Sequence, residues 1–442
     1  MRIDRLILRN YKRYDLRSFE FHPNFNLIVG ANGTGKTSTL DALSIAISGW
    51  LLGINIPEKR NIRHSEVLLG EFEYDDEDEE GKIHHSMRWE YVYPCEISAK
   101  GLVQDHEILW TRSLNSYSGR TTSSAAKEIK ELATRADQAV RSGKDVILPL
   151  ISYYGTGRLW QEPRDSYRAL NPDKVTSKEE QSRLAGYRNS VDPRLSVAQF
   201  SRWVALQSWI AFQNNARETP IFKSVKQAIL ECVEGARYFE FNPKFGEVII
   251  GFDDGARPFS LLSDGQRCML AMVGDIAQKA AKLNPHLGGK ALALTPGVVL
   301  IDEIDLHLHP RWQQHVVEDL RRTFPNIQFI CTTHSPFIIQ SLRSGEELIS
   351  LDGNVTAEVG NLSIEQIALG IQQVSNTKSS ARYTEMLNAA KKYLLTLDEA
   401  RGKPEDQLAD YKQKLASGIA PYADNPAFQA FLEMQRAAVL GE

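Results

Sequence analysis

Over the first 50 residues, the spacing of apolar positions changes from that of strands to that of a helix. Polar and apolar residues alternate over residues 1–10 and 19–29, which predicts two strands, and the second ends in the apolar run Leu-Ile-Val at 27–29. Over residues 36–50 the apolar residues recur three or four positions apart, which is typical of one helix face. These residues are Leu40, Leu43, Ile47 and Trp50. The pattern predicts a strand, a loop and a helix in succession.

The chain between residues 65 and 252 contains both kinds of pattern. Residues 65–98 alternate as strands on either side of an acidic run at 75–80, which we expect to be the solvated end of a hairpin. The other predicted elements are a helix at 123–142, a buried strand beginning at 146, a helical insertion at about 160–235, and strands at 237–241 and 246–252.

The insertion at about 160–235 is polar and mostly helical. It shows no sustained heptad repeat, so a coiled coil is not predicted. Four aromatic residues fall in pairs on two faces of a helix, and we expect them to pack against neighbouring elements. They are Phe200, Trp203, Trp209 and Phe212.

Beyond about residue 345 the pattern becomes helical. The predicted helices lie at residues 363–372, 380–399, 404–417 and 425–438. We therefore divide the chain into a head at 1–345, which carries the insertion, and a C-terminal helical region at 346–442. The apolar faces of the C-terminal helices can pack on the head or receive a partner, and the sequence leaves both possibilities open.

The composition is that of an ordinary globular protein. The chain has 442 residues, 42% of them hydrophobic, and a net charge of −4, which does not indicate a nucleic-acid binder by itself. The four cysteines are far apart, which argues against a disulfide framework or a zinc site and fits a reducing cytosol. No stretch approaches the roughly 20 apolar residues that span a bilayer. We expect a cytoplasmic protein with no membrane partner.

A glycine-rich segment separates the predicted strand from the first helix. Residues 30–37 read Gly-Ala-Asn-Gly-Thr-Gly-Lys-Thr, which is Gly, four residues, then Gly-Lys-Thr. The glycines allow backbone N–H groups to surround phosphate oxygens, and the helix N-terminus adds a partial positive charge. Lys36 can reach the β- and γ-phosphates, and the Thr37 hydroxyl can coordinate Mg²⁺. The segment predicts a nucleotide-phosphate site, rather than a turn that binds nothing.

Two later apolar runs end in ionisable residues. Residues 297–303 read Gly-Val-Val-Leu-Ile-Asp-Glu, which predicts a buried parallel strand with Asp302 and Glu303 at its tip. One carboxylate can support Mg²⁺ while the other accepts a proton from the attacking water. His334, at the end of another apolar strand, can contact a γ-phosphate. The alternative is that Asp302 and Glu303 form a charged strand end that caps a helix and bind no metal or water.

Two further polar features have more than one interpretation. Arg158 follows an apolar strand and a Gly-Thr-Gly turn, where it can approach the nucleotide or form a cap or salt bridge. His307 and His309 could suggest a metal site. Without a third ligand nearby, we expect them to pack or form hydrogen bonds instead.

The order of these motifs resembles that of an ABC-type ATPase head of the RecF/SMC-like branch. After the phosphate loop come Leu-Ser-Asp-Gly-Gln at 262–266, the apolar run ending in Asp-Glu, and Thr-His at 333–334. The resemblance implies an α/β fold with a mixed central sheet flanked by helices and an antiparallel β subdomain. It also implies ATP and Mg²⁺ as ligands.

The resemblance also implies residue roles. Glu303 is the general base, His334 is the switch histidine, and Thr37 and Asp302 serve the metal. The implied nucleotide-binding residues are Lys12, Asn32, Gly33, Thr34, Gly35, Lys36, Thr37, Ser38, Ser263, Gly265 and Gln266. In this family the signature residues contact the γ-phosphate held by another subunit, which implies a head-to-head dimer with two ATP molecules at its interface.

Two positions depart from the family pattern. The glutamine expected after the strand end at 153–155 has no clear counterpart, because the nearest one, Gln161, lies several residues later. Asp264 stands where transporters usually have glycine, at a position that varies within this branch.

A closer resemblance is to the ATPase subunits of Septu-type anti-phage systems and related retron modules. It rests on Tyr-Tyr-Gly-Thr-Gly-Arg-Leu-Trp at 153–160, on His-Leu-His-Pro at 307–310 and on the short helical insertion and tail. The partner in those systems is an HNH nuclease, and the sequence itself contains no nuclease motif. The resemblance implies an oligomeric ATPase that regulates the nuclease and meets DNA through the complex. The alternatives are a RecF-type repair ATPase that binds DNA directly and, least favoured, a transporter motor.

Overall fold

The computed structural model describes most of the chain. It covers residues 1–56, 58–77, 83–159, 182–353, 361–372, 381–401, 408, 410, 413–417, 420–422 and 425–440. The described chain forms two compact units, Met1–Ile367 and Ala368–Glu442. Residues 78–82 of the predicted acidic hairpin, Gln161, the start of the insertion and half of the predicted helix at 404–417 lie outside the described residues.

The strands are β1 (Arg2–Tyr11), β2 (Tyr14–Glu20), β3 (Phe25–Val29), β4 (Leu69–Glu77), β5 (Ile83–Tyr91), β6 (Cys95–Val103), β7 (His106–Leu114), β8 (Leu150–Tyr154), β9 (Tyr238–Asn242), β10 (Glu247–Phe252), β11 (Gly255–Pro258), β12 (Gly297–Ile301), β13 (Ile327–Thr332) and β14 (Leu348–Ser350). The α-helices are α1 (Lys36–Ile47), α2 (Lys127–Arg141), α3 (Val197–Gln213), α4 (Pro220–Cys232), α5 (Asp264–Leu283), α6 (Ala291–Leu294), α7 (Pro310–Gln313), α8 (Val316–Thr323), α9 (Pro336–Gln340), α10 (Ile364–Gly370), α11 (Ala381–Ala400) and α12 (Pro426–Leu440).

The central sheet has five parallel strands in the order β14-β3-β13-β12-β8. All residues of β3, β8, β12 and β13 are buried, as expected for parallel strands covered on both faces. The carboxyl ends of these strands therefore meet at one edge of the sheet, where open α/β folds bind ligands. The predicted α/β class is confirmed, and the antiparallel strands lie in separate sheets.

The largest antiparallel sheet has the order β2-β1-β6-β7. It is joined to the central sheet by Gln328 of β13, whose side chain is buried. The Gln328 Nε2 donates to the Ile3 carbonyl (2.7 Å), and its Oε1 accepts from the Ile3 amide (2.8 Å). The Gln328 side chain thus satisfies both backbone hydrogen-bonding groups of Ile3.

The predicted strand at 19–29 is two strands in different sheets. Strand β2 ends at Glu20 and β3 begins at Phe25. Between them, Pro23 has no N–H to donate to a sheet. The Asn26 side chain closes the turn, because it accepts from the His22 amide (2.7 Å) and donates to the His22 carbonyl (2.8 Å).

The described part of the insertion contains α3 and α4. Phe200 and Trp203 of α3 are buried as expected, and the Trp203 ring packs edge-on against Phe222 of α4, with centroids 5.9 Å apart. The expected packing is wrong for Trp209 and Phe212. Both are exposed and stack on each other, on a face of α3 that none of the described elements covers.

The second unit contains α11 and α12. Its described core consists of Tyr393, Leu397, Leu415 and Leu432. The spacing of Tyr393 and Leu397 on α11 is that of a single helix face, as the apolar pattern predicts.

Candidate nucleotide site

The predicted phosphate loop connects β3 to α1 at the edge of the central sheet. Gly33 and Gly35 adopt positive φ angles of 81° and 106°, which favour glycine. The Lys36 ammonium donates to the carbonyls of Gly30 (2.8 Å) and Ala31 (3.0 Å), so the side chain curls over the loop. Burial lowers the pKa of Lys36, and three nearby carboxylates oppose the shift. The positive charge is thus held inside the loop.

The turn between β1 and β2 supports this loop. The Tyr14 hydroxyl lies 3.1 Å from the Gly35 carbonyl and 3.0 Å from the Thr39 hydroxyl, and Arg13 donates to the Gly33 carbonyl. A Cβ atom on Gly35 would lie 2.3 Å from the Tyr14 hydroxyl oxygen, so glycine is required there. Of the residues in this basic and aromatic turn, only Lys12 is predicted from the sequence to belong to the site.

Asp352 makes another contact with the loop, and no motif in the sequence indicates it. Its carboxylate accepts a hydrogen bond from the Ala31 amide. Asp352 follows β14, the strand beside β3, so its position depends on a strand pairing between residues more than 300 positions apart.

Thr37 and Asp302 are brought together across the sheet edge. The Thr37 hydroxyl donates to Asp302 Oδ2 at 2.9 Å. Asp302 Oδ1 accepts from the Thr332 hydroxyl at 2.6 Å, so the carboxylate is held from both sides. Thr332 ends β13, the neighbour of β12, and it is not among the site residues predicted from the sequence. A threonine at a strand end is too common to signal a role.

Glu303 has an unusual backbone conformation. Its φ is +48°, in the left-handed region that costs a non-glycine residue about 1 kcal/mol or more. The Glu303 amide donates to the Thr332 hydroxyl (2.8 Å), and its carbonyl accepts from Arg158 (3.0 Å). These bonds fix the backbone of Glu303, the residue directly after the buried Asp302.

Arg158 is fully buried behind the two carboxylate residues. Its guanidinium donates to the carbonyls of Asp302 (2.7 Å), Glu303 (3.0 Å) and Gly155 (3.0 Å). Its Nε lies 3.1 Å from the sulfur of Cys268 on α5. Of the two interpretations from sequence, capping of backbone carbonyls is the one observed.

The donor set at Thr37 and Asp302 fits Mg²⁺. This ion prefers oxygen ligands and keeps several of its waters, so one hydroxyl and one carboxylate are a sufficient protein contribution. Both groups are presented at the same edge as the phosphate loop, and both are fixed by neighbouring residues.

Lys12 lies in the same cavity as Thr37 and Asp302, a space of about 840 Å³. Its ammonium pairs with Asp41 on α1 and lies over the Tyr11 ring. The Tyr153 hydroxyl donates to the same Asp41 carboxylate (3.1 Å), and burial raises the Tyr153 pKa. Lys12 is thus paired with a carboxylate beside the site.

The residues of the predicted signature lie at the start of α5. Ser263 and Gln266 form a capping box: the Ser263 hydroxyl accepts from the Gln266 amide, and the Gln266 side chain accepts from the Ser263 amide. A Cβ atom on Gly265 would lie 2.5 Å from the His307 carbonyl, so α5 begins against the segment after β12. Among the hydrogen bonds of the described residues, none joins Ser263, Gly265 or Gln266 to the phosphate loop.

The remaining predicted site residues lie around the same edge. His334 is exposed, two residues after the end of β13. Asn32 is exposed on the loop, the Thr34 hydroxyl donates to the Ala31 carbonyl (2.9 Å), and Ser38 is half-buried in the first turn of α1.

Both histidines of the pair after β12, His307 and His309, are exposed. His309 accepts a hydrogen bond from the Arg311 amide at the start of α7. Across the described ranges, no group of three or more His, Cys, Asp and Glu side chains is arranged to hold a metal ion. The described helices also include none that is long and apolar enough to cross a membrane.

Comparison with known proteins gives a family match and several relatives. A family model described as "AAA domain, putative AbiEii toxin, Type IV TA system" matches residues 25–340. The chain is 24% identical to "Retron Ec83 probable ATPase" of Escherichia coli, over 95% of this chain and 87% of that protein. It is 26% identical to "Retron Vc95 probable ATPase" of Vibrio cholerae, over 76% of this chain and 72% of that protein. It is 35% identical to "Septu protein PtuA" of Bacillus mycoides, over 30% of this chain and 18% of that protein.

Proposed function

The chain belongs to the AAA-domain ATPase family whose model matches residues 25–340, and on that premise we propose that it is the ATP-hydrolysing subunit of an anti-phage defence complex. In this proposal it scaffolds a partner HNH nuclease, similar to the PtuB subunit of Septu systems, and regulates it in the cytoplasm through ATP-dependent head-to-head dimerisation. Similarity to the two retron ATPases and to PtuA supports the assignment.

The observation that carries the proposal is the contact between Thr37 and Asp302, 265 residues apart in sequence and 2.9 Å apart in space. The contact brings the end of the phosphate loop to a buried strand tip whose next residue is Glu303. A phosphate-binding loop, a metal-binding pair and a candidate base at one edge suit phosphoryl transfer to water.

In the proposed reaction, Lys36 stabilises the charge on the β- and γ-phosphates of ATP from within the loop. Thr37 and Asp302 would hold Mg²⁺, which would neutralise charge that develops on the phosphate oxygens. The Glu303 carboxylate accepts a proton from the attacking water, because its backbone is fixed beside the metal site. His334 contacts the γ-phosphate and senses its presence.

The position of Ser263 and Gly265 supports the proposed dimerisation. Both lie at the N-terminus of a 20-residue helix, which favours an anion. We propose that this end of α5 contacts the γ-phosphate bound by a second copy. One chain then holds only part of each site, and ATP stabilises the dimer because it binds the two copies together.

The experiment is to purify the chain from its native operon and to analyse the proteins that copurify with it by mass spectrometry and by light scattering, with and without ATP. We expect a stoichiometric complex whose nuclease activity differs between Glu303→Gln, which holds ATP without hydrolysis, and Lys36→Ala, which does not hold it. A lone chain that dimerises with ATP and binds DNA with a steep salt dependence would contradict the proposal and favour a repair ATPase.

A further inference from the structure

Strands β4 and β5 form a two-stranded hairpin with exposed apolar side chains. Among the described strands they pair only with each other. A hairpin of two strands is marginally stable in water by itself, and exposed apolar patches mark interaction sites. Its exposed large apolar residues are Leu69, Phe72, Tyr74, Met87, Trp89 and Tyr91.

The register of the hairpin puts two kinds of side chain on one face. Glu71 lies opposite Trp89, and Glu73 lies opposite Met87. Residues directly opposite each other in an antiparallel pair share a face, so an acidic column on β4 runs beside an apolar column on β5. We call this surface the acidic-aromatic face. It consists of Leu69, Glu71, Glu73, Met87, Trp89 and Tyr91.

The charge of the hairpin restricts what can bind there. Residues 69–91 contain nine Asp and Glu against two Lys and Arg, a net charge of −7, whereas the whole chain carries −4. Nucleic acid and anionic membranes are repelled by such a segment. A symmetric contact between two copies would bring together two hairpins that each carry a net charge of −7. A basic polypeptide is the occupant that the charge favours.

The hairpin is joined to the nucleotide site at its base. The Leu68 amide donates to the Asn10 carbonyl (2.9 Å), and the Lys12 amide donates to the Glu66 carbonyl (2.7 Å). Lys12 in turn pairs with Asp41 in the cavity that Thr37 lines. A protein bound to the hairpin thus contacts an element only a few residues from the site where ATP is proposed to bind.

We propose that the acidic-aromatic face docks a basic segment of the partner nuclease, with Trp89 and Met87 as apolar anchors and Glu71 and Glu73 as charge partners. The identity of this partner rests on the proposed function. Nucleases bind a phosphate backbone and therefore have basic surfaces, which are complementary to this face.

The test is the affinity between the purified chain and the HNH nuclease that the proposed function assigns as its partner, measured by biolayer interferometry at two salt concentrations. We expect Trp89→Ala to weaken binding by about tenfold or more, as for a central aromatic anchor. The control is Trp209→Ala on α3, because Trp209 is 57% exposed and Trp89 is 59% exposed. We expect Glu71→Lys with Glu73→Lys to weaken binding about tenfold, and more at low salt.

Thermal unfolding and ATPase rates of the hairpin variants, both expected to match the wild type, separate lost docking from lost folding. If the hairpin variants bind the nuclease as tightly as Trp209→Ala does, the docking surface is wrong and the proposed function stands. If the wild-type chain binds no nuclease, the proposed function fails and this inference fails with it. Loss of self-association instead of nuclease binding would overturn the inference in favour of a second copy.

Discussion

Arg158 connects three parts of the candidate site through one guanidinium group. It donates to the carbonyls of Asp302 and Glu303 after β12 and to that of Gly155 after β8, and it lies against Cys268 on α5. Because a buried guanidinium needs several acceptors, the group fixes the carbonyls that surround it. We infer that Arg158 positions Glu303 without touching the substrate.

We predict that Arg158→Ala lowers kcat for ATP hydrolysis about 100-fold with little change in KM, because a small misplacement of a catalytic group has an effect of this size. Arg158→Lys should recover part of the rate, since an ammonium can reach one of the carbonyls. The control is Arg183→Ala, which removes hydrogen bonds to the carbonyls of Leu283 and Val146 away from the site. Equal loss of kcat in this control and in Arg158→Ala would show a merely structural role.

We predict that Glu303→Gln retains ATP binding and lowers kcat by about 10²- to 10⁴-fold, the usual contribution of a general base. Nucleotide affinity and single-turnover hydrolysis measure the two effects separately. Glu318→Gln, at an exposed glutamate paired with Arg343, is the matched control and should hydrolyse ATP normally. A Glu303→Gln protein with a wild-type rate would exclude Glu303 as the base.

The residues of the site differ in how far sequence predicts them. Lys36, Thr37 and Asp302 belong to motifs whose spacing is fixed by the chemistry, so a single sequence identifies them. Thr332 and Tyr14 have no such spacing, and their contacts with Asp302 and Gly35 depend on how the strands pair. Their roles therefore become visible only in the folded chain.

At the scale of elements, the phosphate loop is held by the β1–β2 turn. We predict that Gly35→Ala weakens ATP binding at least about tenfold, because the added methyl meets the Tyr14 hydroxyl and φ is positive. Gly143→Ala is the control, since Gly143 also has a positive φ of 77° but an added Cβ meets no atom within 4 Å. It should lose about 1 kcal/mol of unfolding free energy and bind ATP normally.

Calorimetric titration of the two glycine variants with ATP distinguishes these effects. If Gly143→Ala lost ATP binding as Gly35→Ala does, backbone strain anywhere in the fold would explain the result. The close approach of Tyr14 to the loop would then have no part in it.

The elements were predictable where periodicity is strong and uninterrupted. The strands around residues 297 and 327 and the helix after the phosphate loop lie where the apolar pattern predicts them. The break at Pro23 and the exposed face of α3 were missed, because apolar spacing does not tell which sheet a strand joins or which helix face stays in water. Both depend on partners distant in sequence.

At the scale of the whole molecule, the proposal divides each ATP site between two copies. Lys36 belongs to one half of the site and Ser263 to the other half. A protein substituted at Lys36 or at Ser263 should therefore be inactive alone. Each substituted protein should still contribute the half of the site that the other protein has lost. A mixed dimer of the two substituted proteins then recovers ATP hydrolysis, which would not occur if each site were formed by a single chain.

The most direct measurement is the ATPase rate of a mixture of Lys36→Ala and Ser263→Arg proteins. Ser263 is exposed, so arginine fits there without disturbing the core. We expect each protein alone to be inactive and the equimolar mixture to reach roughly a quarter of the wild-type rate, since half the dimers are mixed and each has one intact site. An inactive mixture, or a Ser263→Arg protein that hydrolyses ATP normally alone, would contradict a shared site.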